Sequence, residues 1–416
     1  MQKKQQKNRE VRPEARFVGY TKGDRMSISL RVDYAGLALE NPLIVASASP
    51  TISYAGLKRA GLTGAGSLVP KSVLSTKTRT PDRQYNPRPR FSLLNKDIEY
   101  DTALAKKGAL YSLIVLGEPY PTVGEFKGAF QKFKAEFSQP LILSLCAPET
   151  DYAEWQNLAE AAVDAGADAL ELSMHNMPYT NHTNPEIVRA VKKVVDVPVM
   201  PKLMVPWENP RVVGPALEEA GADAIVAMGN QPLRGLEIDV ENEKFAFHPQ
   251  PLSARGPWFR PVGLNWIAEL AQCVNIPLSG VSGVASWKDV VKYILLGATT
   301  VQVCTAIYQD GYEAVEDMIR GLEGFMADKG YSSIEDFRGK MLDTLASAPK
   351  LPDDLSIFAK VDPYTCTGCK ECVKTCFWDA ITMEQGSANV NPMVCEGCGL
   401  CVVRCPVGAI SLSQEP

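Results

Sequence analysis

The chain has 416 residues, 45% hydrophobic and 22% charged, with a formal net charge of -5, a globular composition long enough for one large domain and a smaller one. No run approaches the roughly 18 uninterrupted apolar residues of a membrane span, and the acidic balance without a basic face argues against a nucleic-acid partner. Residues 1–25 open MQKKQQKNREVRPEARF, basic and without an apolar centre. They read as a solvated, disordered tail and not as a secretory leader or a nucleic-acid arm.

From residue 26 to 345 short β-branched apolar runs alternate with amphipathic helical stretches, the pattern of βα units around a parallel sheet. The runs expected as strands are 43–48, 67–73, 141–146, 169–174, 197–204, 224–228, 276–281 and 300–304. Eight of them predict an α/β fold of the (β/α)8 TIM barrel type. The phrase Ala-Gly-Ala-Asp-Ala occurs at 165–169 and again at 220–224, where Gly166 and Gly221 suit the left-handed position that ends a helix before a strand. A doubly wound sheet is the rival, but no G-x-G-x-x-G follows any of these strands. Two interruptions, 76–140 and 231–261, exceed ordinary loops and are expected to cover the end of the barrel where such folds place their sites. Residues 346–361, with Pro349, Pro352, Asp353 and Asp354, read as a linker.

Residues 362–416 hold eight of the chain's eleven cysteines in two runs of one pattern: Cys366, Cys369, Cys372, Cys376 and Cys395, Cys398, Cys401, Cys405, the last followed by Pro406. C-x2-C-x2-C-x3-C with a closing Pro is the spacing of a ferredoxin with two [4Fe–4S] clusters, in which the fourth cysteine of each run ligates the other cluster. One cluster is therefore assigned to Cys366, Cys369, Cys372 and Cys405, and the other to Cys395, Cys398, Cys401 and Cys376. Zinc rarely uses this triple spacing, and a disulfide framework would suit a small secreted domain. Thiolate-held clusters without an export signal place the chain in the reducing cytoplasm.

Two features of the barrel carry chemistry. Its phosphate site is expected after strands seven and eight, at Ser279-Gly280-Val281-Ser282-Gly283-Val284 and Val303-Cys304-Thr305-Ala306; a ligand-free tight turn is the plain alternative. Lys71 and Lys202 stand in strand-end apolar runs, where a cation is costly unless it meets an anion or acceptor. The plain alternative for each is a snorkelling or salt-bridged lysine at the rim. Cys146, Cys273 and Cys304 read as small buried hydrophobes.

These residues resemble a family, the dihydroorotate and dihydropyrimidine dehydrogenases. The resemblance rests on Asn41-Pro42-Leu43-Ile44-Val45-Ala46-Ser47-Ala48-Ser49-Pro50, Pro70-Lys71-Ser72, Leu94-Asn95, Ala167-Asp168-Ala169-Leu170-Glu171-Leu172 and Gly297-Ala298-Thr299-Thr300-Val301-Gln302-Val303-Cys304-Thr305. With the cysteine-rich tail, the layout is most similar to the catalytic subunits of bacterial NAD-dependent dihydropyrimidine dehydrogenases. It implies FMN on the barrel top, touched by Ala46, Ser47, Lys71, Ser72, Lys202, Gly256, Ser282, Gly283, Cys304 and Thr305, with Asn95 and Asn230 facing the substrate. Ser282 stands where a glycine is usual. The family's Asn-Leu-Ser-Cys-Pro segment, whose Cys moves a proton, is here Ser173-Met174-His175-Asn176-Met177-Pro178. Asn176 falls on the Cys, and an amide does not exchange a proton near neutral pH. His175 is the nearest group of suitable pKa, with His182 and Tyr179 as further candidates and a structural role open for each.

The implied activity is oxidation or reduction of a C–C/C=C bond in a small cyclic substrate, with electrons passing through the clusters. With no dinucleotide motif, the expected partner is an FAD/NAD(P)-binding subunit or a soluble ferredoxin, in a homo- or hetero-oligomer. A reductase of another unsaturated ring, or a flavin-bearing relay without catalysis, remains open.

Overall fold

The apolar runs form strands buried along their whole length, at Leu43–Val45, Ser67–Leu68, Val73–Leu74, Ile142–Cys146, Ala169–Ser173, Val199–Lys202, Ile225–Ala227, Leu278–Gly280 and Thr300–Val303. Burial on both faces is what a parallel sheet wrapped by helices requires. The computed structural model describes residues 28–75, 90–93, 113–116, 121–174, 183–204, 208–229, 234–235, 238–245, 252–345 and 357–413, in two compact units, 1–343 and 344–416.

The nine strands form one parallel sheet. Ser67–Leu68 and Val73–Leu74 are two pieces of a single stave that Pro70 interrupts, since proline has no N–H to give the ladder. The first piece pairs with Leu43–Val45 and the second with Ile142–Cys146. A parallel bridge between Leu68 and Leu141 joins the two ends of the row. The sheet thus closes as the eight-stave barrel that the sequence predicts.

Helices Tyr54–Leu62, Val123–Glu136, Tyr152–Asp164, Pro185–Lys192, Pro210–Glu219, Arg260–Leu270 and Trp287–Leu295 alternate with the staves. Their starts follow local chemistry: Ser53, Thr122, Asp151, Asn184 and Asn209 each accept a backbone N–H of the first turn, which satisfies donors that a helix otherwise leaves open. Both Ala-Gly-Ala-Asp-Ala phrases close a helix, with φ of 102° at Gly166 and 93° at Gly221. Their aspartates do more than fill a turn. Asp168 accepts the Leu141 N–H at 2.8 Å and pairs with Lys134; Asp223 accepts the Val199 N–H at 2.7 Å and pairs with Lys192. Each carboxylate ties the start of a strand to the helix before it.

The 76–140 interruption is shorter than its sequence suggests, because it contains the regular barrel helix Val123–Glu136. Its described strands, Arg90–Leu93 and Leu113–Leu116, join Leu252–Arg255 and Arg234–Gly235 of the second interruption in one antiparallel sheet. The key pairing sets Ser253 against Val115. The two insertions are therefore one structure.

The small unit is built twice over. Strands Phe358–Val361 and Ile410–Ser413 pair in one half, Ile381–Glu384 and Ser387–Val390 in the other. Residues 358–361, expected at the end of the linker, are thus part of this unit. Helices Glu371–Thr375 and Leu400–Arg404 occupy equivalent places. Among the described residues no helix is long and apolar enough to cross a membrane.

Candidate active site

At the carboxyl ends of the staves lies a cavity that opens to solvent, the place where barrel folds build their small-molecule sites. Its lining includes Ala46, Ser47, Lys71, Ser72, Lys202, Ser282, Gly283, Cys304 and Thr305, nine of the ten positions expected to touch a cofactor. Gly256 does not line it, but its neighbour Arg255 does. Gly256 is buried at a φ of 141°, and it turns the chain from the insertion sheet into the next helix.

The charged lining is buried. Lys71, Lys202 and Arg255 are 1%, 5% and 8% exposed, and Glu171 is fully buried, so three cations and one carboxylate face the cavity. Burial at this level disfavours charge unless partners compensate. Lys202 Nζ lies 3.3 Å from each Glu171 carboxylate oxygen and donates to Gln302 Oε1 at 2.7 Å, while Gln302 Nε2 donates to Glu171 Oε2 at 2.8 Å. Serine hydroxyls stitch the neighbouring rim: Ser47 Oγ accepts the Ser72 N–H at 2.8 Å, and Ser72 Oγ meets Ser144 Oγ at 2.9 Å.

The turn after the seventh stave is held from three directions. Ser282 and Gly283 both have left-handed φ, 89° and 67°, so successive N–H groups can curl into an anion-binding nest. A side chain at 283 would meet the Arg260 backbone N at 2.6 Å. At Ser282 a Cβ carries a conformational cost, and its hydroxyl donates to the Met228 carbonyl at 2.5 Å. Tyr293, fully buried, shares its hydroxyl hydrogen between the carbonyls of Val281 at 2.9 Å and Ser282 at 2.8 Å. Burial raises the Tyr293 pKa, so the hydroxyl stays a donor. Gly280 leaves room for the ring: a Cβ there would lie 2.4 Å from it.

The small unit holds two cavities. One is lined by Cys366, Cys369, Cys372 and Cys405, the other by Cys376, Cys395, Cys398 and Cys401, the two quartets assigned from spacing. Among the described residues no three candidate ligands converge as a single metal ion would require; each quartet surrounds a space. Gly368 and Gly397, at φ of 68° and 62°, bring backbone close to a facing strand or loop, where a Cβ would sit 2.5 Å from the Gly386 carbonyl oxygen and 2.1 Å from that of Ile357. The amides of Ala359, Ala380 and Ala409 donate to the sulfurs of Cys395, Cys376 and Cys405 at 3.2–3.4 Å. Backbone N–H groups of Ala388 and Gly368 hold the Cys366 thiol pKa below its ordinary value, which favours the thiolate a metal needs.

Asn95, His175, Asn176 and Asn230, with Tyr179 and His182, lie outside the described residues. The sequence reading missed Glu171, Gln302 and Arg255. A glutamate and a glutamine flanked on both sides by leucines or valines in buried strands were the available signal for the first two. Arg255 reaches the cavity from an insertion, and nothing local marks it.

Residues 29–326 match the family described as dihydroorotate dehydrogenase, and residues 365–409 match the 4Fe-4S dicluster domain. The chain is 30% identical over 323 residues to the "Dihydroorotate dehydrogenase B (NAD(+)), catalytic subunit" of Pyrococcus abyssi, covering 75% of this chain and 99% of that protein. It is 31% identical over 316 residues to the protein of the same name from Methanosarcina mazei, covering 73% and 92%. The "NAD-dependent dihydropyrimidine dehydrogenase subunit PreA" of Escherichia coli is 28% identical over 268 residues, or 60% of this chain and 64% of that protein. With that match running through the barrel and its cavity, the chain belongs to the dihydroorotate dehydrogenase family of oxidoreductases and carries a 4Fe-4S dicluster domain C-terminal to the barrel in sequence.

Proposed function

We propose that the barrel binds FMN and acts on a CH–CH or C=C bond of a small polar ring of the pyrimidine class, while two [4Fe–4S] clusters connect the flavin to a redox partner. The observation that carries this is the cavity lining, which brings Lys71 and Lys202 together with the Ser282-Gly283 turn. Residues present fit the group: the turn can hold a phosphate through backbone N–H groups, and a buried lysine favours negative charge on the N1–C2=O edge of the ring. Bound there, FMN supplies hydride exchange with the substrate and one-electron exchange with the clusters.

The chain's own residues orient and balance charge. Lys202 is held in place by Glu171 and Gln302, Ser47 and Ser72 fix the first two staves beside Lys71, and Arg255 brings a cation from the insertion sheet. His175, beside the Asn176 that replaces the family cysteine, is the proton carrier in this reading. The relatives' names, a catalytic subunit and an NAD-dependent subunit, support a separate FAD/NAD(P)-binding partner for this chain. The lack of the cysteine acid at 176 favours one second reading, a reductase of another unsaturated ring.

An anaerobic turnover screen of uracil, thymine, dihydrouracil and dihydroorotate, followed by flavin absorbance, tests the substrate class. Flavin oxidation or reduction by a member of the set is the expected result; none responding would remove the pyrimidine reading. His175→Asn is expected to lower turnover about 10²-fold or more and to abolish the pH–rate limb near neutrality. An unchanged pH profile would remove His175 as the proton carrier.

A further inference from the structure

We propose that Glu171 and Gln302 set the redox potential of the bound flavin through Lys202, an inference that rests on the reading of the cavity as an FMN site. The three side chains come from three different staves, at 0%, 2% and 5% exposure for Glu171, Gln302 and Lys202, and they form a closed ring of hydrogen bonds. Lys202 has three N–H donors. One is shared by the two oxygens of Glu171 at 3.3 Å, and one goes to Gln302 Oε1 at 2.7 Å, which leaves the third for whatever fills the cavity.

Folding alone gives little reason for such a ring. Replacing a buried ion pair with well-packed apolar residues is commonly neutral or stabilising, and the immediate neighbours of Glu171 and Gln302 along their strands are Leu170, Leu172, Val301 and Val303. What the ring does control is charge. Lys71, Lys202 and Arg255 contribute three positive charges to the cavity and Glu171 subtracts one. Low-dielectric surroundings make that subtraction felt across the cavity. A ring that takes up electrons is easier to reduce near more positive charge, so Glu171 holds the potential down and the neutral Gln302 keeps it from falling further. Both are positioning residues: they act through Lys202.

The test is a pair of variants of opposite sign in the FMN-loaded protein. Glu171→Gln removes the carboxylate, and is expected to raise the flavin midpoint potential and tighten binding of sulfite, an anion that adds to electron-poor flavins, by about ten-fold. Gln302→Glu adds a carboxylate to the same ring and is expected to lower the potential and weaken sulfite binding by a similar factor. The double variant Glu171→Gln/Gln302→Glu moves the carboxylate without changing net charge, and should return close to the wild-type potential. Shifts of the same sign in both single variants, no shift in either, or a double variant that stays far from wild type would overturn the proposal; where a single variant loses FMN, the double variant decides. Wild-type protein that takes up no FMN would instead overturn the reading of the cavity itself.

Discussion

Lys71 is among the largest side chains wholly buried in the protein, at the break in the second stave, and it lines the cavity, where a buried cation favours an anionic ligand. Lys71→Met keeps the length and apolar stem while removing that charge. Replacing it is expected to weaken FMN binding by at least about ten-fold, or roughly 1.4 kcal/mol, in a fluorescence titration of the apoprotein; unchanged affinity would remove Lys71 from the site. Lys71 was legible because a lysine inside an apolar strand-end run is conspicuous in one dimension. The same reasoning applies to Glu171 and Gln302, whose partners lie 131 positions apart in the sequence, so their role as a ring around Lys202 becomes visible only when the staves are closed. Arg255 had no local signal at all: its position depends on a strand pairing between two insertions.

Among the elements, those read most directly were the ones whose geometry is set locally. The staves announced themselves as continuous apolar runs because helices cover them outside and side chains fill the barrel inside. The cysteine runs were legible because C-x2-C-x2-C brings three cysteines of each quartet together within seven residues, and the fourth, Cys405 or Cys376, comes from the other run. The less legible elements depend on distant partners: the split stave at Pro70, the four-stranded sheet made by two insertions, and the strand Phe358–Val361, whose partner is the last described strand of the chain. Gly397 shows how strict the local geometry is, since a Cβ there would lie 2.1 Å from a carbonyl oxygen at a φ of 62°. Gly397→Ala is expected to displace the loop between Cys395 and Cys398 and reduce iron and sulfide by about half, because one of two clusters is lost. FMN content should be unaffected. Full iron content in the variant would show that the loop tolerates the side chain and that this close approach does not shape the site.

At the scale of the whole molecule, a barrel with a cavity rich in buried cations and a unit with two cysteine-lined cavities share one chain. A flavin exchanges two electrons with a substrate and single electrons with clusters, so in the proposed function the two units together would make a converter between hydride chemistry and one-electron transfer. The central claim is that stoichiometry. Anaerobic reductive titration of the purified protein, followed by flavin absorbance and by electron paramagnetic resonance of the clusters, measures it directly. The account predicts about four electrons per chain, two for FMN and one for each of two [4Fe–4S] clusters. Uptake of about two electrons with no cluster signal, or of about three with a single cluster, would contradict it.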